Sequence, residues 1–160
     1  MLAIALLALL FAESPLGTPP RFDIRRIDAE VVATLQQAWK LADEGRSARE
    51  AGVMVLRDAD GSYTAKLVFD PASFHSVRFE ITADVVAILH THPNQSGREP
   101  SPADRANADL LQIPTFTLTD RGLWVYNPKT RDVRQVMIRL TWLNPKNWSS
   151  EKLLEQAGLS

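Results

Sequence analysis

Ala87-Ile88-Leu89-His90-Thr91-His92-Pro93-Asn94-Gln95-Ser96-Gly97-Arg98-Glu99-Pro100-Ser101-Pro102-Ala103-Asp104 is the stretch on which the reading of the chain turns. It continues a short apolar run, Val85 to Leu89, of the kind carried by a strand buried on both faces. Pro93 to Pro100 then reads as a polar loop. Ser101-Pro102 is a helix start, with serine as N-cap and proline at the first helical position. The helix should run to Gln112, with Ala103, Ala106 and Leu110 as its apolar side.

Downstream, Thr115 to Thr119 and Leu123 to Tyr126 are expected strands separated by Asp120-Arg121-Gly122, and a turn from Asn127 leads into a strand over Val133 to Leu140. Upstream, Ala51 to Leu56 and Ser62 to Phe69 form an expected hairpin, and Val77 to Ile81 a further strand. Asp58-Ala59-Asp60-Gly61 has the start of a calcium loop but lacks the later liganding carboxylate, so it reads as the hairpin turn. A first helix follows Asp28 as cap, with Val31, Val32, Leu35, Trp39 and Leu41 mostly on one face and Gly45 closing it. Helix, strands, helix, strands implies an α/β fold whose central mixed β-sheet is packed by helices.

The chain has 160 residues, enough for one domain with a single core, and no internal repeat. Its net charge is −1 with Lys and Arg scattered, which gives binding to a nucleic-acid backbone no electrostatic support. Cysteine is absent, so disulfides, thiolate nucleophiles and cysteine-rich zinc sites are excluded. Residues 1–13 read as an export signal or N-terminal anchor, the one place where membrane contact is expected, although no Lys or Arg precedes the apolar run. If that leader is not functional, the protein stays cytoplasmic. Residues 14–22 are a proline-rich linker, 23–145 the domain, and 146–160 a tail with a short helix from about Ser150.

Side chains alternate along a strand, so His90 and His92 point to one face where the strand meets its loop, reachable by solvent and substrate. Two imidazoles suit zinc, and a helix start folded back over the strand end would add Asp104 as a third ligand. Two histidines and a carboxylate leave a fourth position for water, the arrangement of a catalytic site. Glu50, just ahead of the strand from Ala51, is the candidate general base, with Glu80 and Glu99 as fallbacks. Each residue also has an ordinary reading. Glu50 can be a solvated charge or a partner of Arg46 or Arg49, and Ser101 with Asp104 can simply cap a helix. Capping and liganding compete for Asp104, and the ligand role is the expectation. His75 reads as a surface residue, and the four tryptophans as packing.

A Glu ahead of a glycine-containing apolar strand, then His-x-His-Pro, then Ser-x-x-Asp resembles the JAMM motif of JAB/MPN-domain metalloproteases. Ile113 to Thr119 followed by Gly122 to Tyr126 is similar to the continuation in bacterial and phage-type members. The resemblance covers roughly Asp28 to Val136 and implies the cytidine-deaminase-like JAB/MPN fold. It implies His90, His92 and Asp104 as zinc ligands, Glu50 as general base, and Ser101 as the group steadying the scissile carbonyl or its oxyanion. The loop between His92 and Ser101 is one residue longer than the family's usual pattern, an addition its glycine should absorb. The expected function is hydrolysis of a peptide or isopeptide bond, with a peptide or protein as substrate and no nucleic-acid partner. The chain lacks room for the insertions with which ubiquitin-specific members grip their substrate. The alternative is a non-catalytic binding or scaffold module on the same fold. A phosphodiesterase or nucleobase hydrolase ranks last, since the Cys-x-x-Cys of zinc deaminases is missing and two-metal chemistry needs more carboxylates.

Overall fold

The structure is a computed structural model that describes residues 29–144. The leader, the linker, the Asp28 cap, Trp148 and the tail helix lie outside the described residues. The elements run α1 (Ala29–Leu41), β1 (Gly52–Arg57), β2 (Tyr63–Val68), β3 (Val85–Thr91), α2 (Pro102–Leu111), β4 (Thr115–Thr119), β5 (Gly122–Asn127) and β6 (Asp132–Ile138). The six strands form one mixed sheet in the order β2-β1-β3-β4-β5-β6. Only β3 and β4 pair in parallel, with α2 as the crossover between them. The α/β class and the helix-packed mixed sheet agree with the sequence.

Alternation along the strands divides two apolar clusters between the faces of the sheet. Val53 and Val55 of β1, Ala87 and Leu89 of β3, and Phe116, Leu118, Leu123 and Val125 join the main core. There they meet Val31, Val32, Leu35, Ala38 and Trp39, the buried stripe of α1. Leu41 is only half-buried at the edge of this stripe. Met54 and Ile88, at the alternate positions, form a smaller cluster on the other face with Phe79 and Ile81. Trp142, within a 3-10 turn (Thr141–Leu143), is fully buried in the main core.

Past α1 the chain reverses through three consecutive positive φ values, 52° at Asp43, 54° at Glu44 and 72° at Gly45. Gly45 is required there. A Cβ would lie 2.5 Å from Asn94 Oδ1 and 2.9 Å from the Trp39 ring, besides straining the backbone. The hairpin turn is as expected: Gly61 N–H donates to the Asp58 carbonyl at 2.9 Å, and Ser62 N–H to Asp60 Oδ1 at 2.9 Å.

Two expectations are corrected. Val77 to Ile81 is not a strand. It alternates in burial as a strand would, but Phe79 and Val77 pack over Gly52 on the face of the sheet, so the segment has no neighbouring strand edge to pair with. The predicted apolar side of α2 is the second. Ala103, Ala106 and Leu110 are all exposed, and only Ala108 is buried. The helix is held instead by polar bonds, with Asp109 accepting from Tyr126 Oη at 2.8 Å and from Arg131 at 3.0 Å.

Candidate metal centre

Past an irregularity in the β1–β3 register near its start, β3 alternates regularly, with Ala87 and Leu89 in the main core and Ile88 on the other face, which places His90 beside Ile88 on the less covered side of the sheet. His90 sits in mid-sheet, opposite Gly52 on β1 and Thr117 on β4. One step past the strand, His92 N–H donates to the Leu118 carbonyl at 2.9 Å, so the ladder still fixes its backbone. Both histidines are buried, at 6% exposure each, and are reached through a cleft. They lie at the wall of this cleft of about 1270 Å³, which is also lined by Glu50, Ser101 and Asp104.

Asp104 reaches them from the first turn of α2. Its Oδ2 is 3.4 Å from His90 Nε2 and 3.6 Å from His92 Nε2, and the two Nε2 atoms are 3.0 Å apart. One ligand atom from each residue falls within 4.8 Å of the others. The expected competition between capping and liganding does not arise. Ser101 N–H donates to the same Asp104 Oδ2 at 2.7 Å while Asp104 N–H donates to Ser101 Oγ at 3.2 Å, a complete capping box. The cap aims the carboxylate at the imidazoles, and a carboxylate oxygen has lone pairs for both tasks.

The donor set fits a metal ion on its own chemistry. A carbonyl can only accept, so the 2.6 Å contact between His92 Nδ1 and the Gly97 carbonyl places the ring proton on Nδ1. In the neutral ring, His92 Nε2 is then a bare lone pair facing the cluster, the oriented state in which ligating histidines are held. His90 Nδ1 is buried with no hydrogen-bond partner among the described residues. Two imidazole nitrogens and a carboxylate oxygen, with no thiolate, form a set that zinc accepts.

Electrostatics follow from this crowding. Burial alone would push the Asp104 carboxyl up, but hydrogen bonds with His90 and His92, the charge of His90 and the Ser101 bond outweigh it. Asp104 is held well below the usual carboxylate range. Burial lowers His92, yet its bonds to Asp104 and the Gly97 carbonyl, with the charges of Glu50 and Asp104, leave it raised. Glu50 is raised by burial, partly opposed by the nearby positive charge of His90 and His92.

Glu50 is half-buried and faces this site rather than a cation of its own loop. Arg46 is engaged by Asp43 at 2.9 Å and Glu44 at 2.7 Å, and Arg49 lies 5.6 Å above the Phe74 ring. Of the fallback bases, Glu99 lines the cleft but pairs with Arg105 at 2.9 Å, and Glu80 is exposed. His75 is exposed, as expected, but it also lines the cleft and its charge reaches Glu50. Its place was not legible because it depends on a φ of 57° and on its N–H bonding the Ala48 carbonyl at 2.9 Å. The chain matches no known family model, and no curated protein matches it.

Proposed function

We propose that this protein is a zinc-dependent hydrolase of the JAMM type, built on the JAB/MPN fold, that cleaves a peptide or isopeptide bond. The observation that carries the reading is the convergence of His90, His92 and Asp104 within 4.8 Å in a cleft that Glu50 and Ser101 also line. A zinc ion held by His90, His92 and Asp104 would supply Lewis acidity and a water acidified towards neutral pH.

The chain's own residues supply the rest. Glu50 takes one proton from the attacking water as the water oxygen bonds to the carbonyl carbon. The carbon–nitrogen bond then breaks, and Glu50 returns the proton to the leaving amine. Burial holds the Glu50 carboxyl above its ordinary value, which brings it closer to the pH at which a carboxylate both accepts and releases a proton. Ser101 Oγ is held at the helix start by the Asp104 N–H and lines the cleft, and its O–H would turn to donate to the developing oxyanion.

The cleft suits an extended chain. Val77 to Ile81 runs along it without main-chain bonds to a neighbouring strand, and Phe79, Ile81, Ile88, Leu110 and Leu111 give it an apolar wall. Glu50→Gln tests the chemistry. The variant is expected to bind zinc as the wild type does and to lose about 10²- to 10⁴-fold in kcat on a peptide the wild type cleaves. Full activity in that variant would remove Glu50 from the reaction. Zinc binding with no cleavage by the wild type of any peptide in a library would leave a binding or scaffold module.

A further inference from the structure

Glu50 lies on a stretch with no regular structure, between the 3-10 turn (Asp43–Gly45) and β1. A base on such a stretch would wander unless something else fixed it, and the segment carrying the metal ligands does so at both ends. At the near end, Thr91 N–H donates to the Ala51 carbonyl at 2.9 Å, and Ala51 N–H donates to Thr91 Oγ1 at 3.0 Å. An antiparallel pair normally exchanges two main-chain bonds. Here the return bond goes to the threonine side chain, which adds one last rung to the ladder next to Glu50. Both residues are wholly buried. At the far end, Asn94 N–H donates to the Gly45 carbonyl at 2.8 Å and Asn94 Nδ2 to the Glu44 carbonyl at 3.1 Å.

Thr91 stands between His90 and His92, and Asn94 two residues after His92. The histidines themselves are held independently, His90 by its register with Gly52 and Thr117 and His92 by Leu118. Removing the Thr91 hydroxyl or the Asn94 amide leaves one main-chain bond at each end, and so loosens the loop without releasing the ligands. We infer that Thr91 and Asn94 are positioning residues that set the Glu50 carboxylate relative to the metal ligands, so that base and ligands keep one geometry. This rests on the reading of Glu50 as general base.

The experiment compares Thr91→Val, Thr91→Ser and Asn94→Ala with the wild type in the full chain. It reads zinc per chain, kcat and KM on one cleaved peptide, and hydrogen exchange of the Ala51 amide in the metal-free protein. Thr91→Val should keep its zinc and KM, expose the Ala51 amide to faster exchange and lose on the order of 10²-fold in kcat. Thr91→Ser, which keeps the acceptor, should restore slow exchange and turnover together. Asn94→Ala, at an exposed position and so a check should Thr91→Val fail to fold, should lose kcat with KM and zinc unchanged. Unchanged kcat in Thr91→Val or Asn94→Ala, or zinc lost in step with kcat, would overturn the inference. A wild type that binds zinc and cleaves nothing would instead overturn the hydrolase reading beneath it.

Discussion

Glu50 illustrates how a site charge and chain stability work against each other. Burial holds its carboxyl above the ordinary value, so the folded chain keeps this proton to higher pH than the unfolded chain does. Stability from this group therefore falls as pH rises from the ordinary carboxylate value of about 4.3 through the raised one. Above that window the ionised Glu50 destabilises the metal-free protein. Asp104 acts in the opposite sense, because its depressed carboxyl contributes stability that is lost as pH falls below the ordinary range. Glu50→Gln removes the first effect and keeps the Asp104 carboxylate and its hydrogen bonds. Its melting temperature in the metal-free state should exceed that of the wild type at pH 7, and the gap should close as pH falls to about 3. Thermal melts across that range check it, and equal melting at pH 7 would mean that the carboxylate is not strained by burial. The candidate residues of the cluster were legible at this scale because spacing of two fixes one face of a strand, and serine followed by proline fixes a helix start. That Asp104 both caps and faces the histidines was not legible, since it depends on where the helix start lands over β3.

Among the elements, the strands and both helices stood out by apolar runs and by period, whereas Val77 to Ile81 and α2 show what period leaves undecided. Alternating burial reports an extended backbone lying against something, and it does not say whether a neighbouring strand is there to pair. Val77 to Ile81 meets the first condition by packing on the sheet face over Gly52. In α2 the spacing of Ala103, Ala106 and Leu110 marks a real apolar side, but the helix docks through Ala108 and the Asp109 bonds. The Thr91 and Asn94 ties were also invisible in sequence, because they join segments some 40 to 50 positions apart. Gly52 is the element-scale test. A Cβ there would lie 2.5 Å from the Phe79 ring and 2.7 Å from Val77 Cγ1. Gly52→Ala should cost about 1–3 kcal/mol by overpacking, measured by denaturant unfolding. A cost within about 0.5 kcal/mol would show that Val77 to Phe79 lifts away from the sheet freely.

Across the whole molecule, the sheet order places β3 between β1 and β4, so the strand that carries His90 and leads into His92 is flanked on either side. The covered face packs α1 into the main core, and the other face is left for the cleft. The α2 crossover returns over the carboxyl end of β3, where ligands of parallel strands commonly bind, and brings Asp104 to the histidines. Leu110, 81% exposed, stands on the cleft side of that helix as apolar surface that folding leaves uncovered. Among the described residues no helix is long and apolar enough to cross a membrane. Everything proposed for this protein depends on the cluster of His90, His92 and Asp104 holding a metal ion. Metal content by mass spectrometry, on the full chain supplied with zinc and on His92→Ala, tests that most directly. The account predicts about one zinc per wild-type chain and a loss of that zinc in the variant. A folded wild-type chain that takes up no zinc, or a variant that holds it as tightly as the wild type, would contradict it.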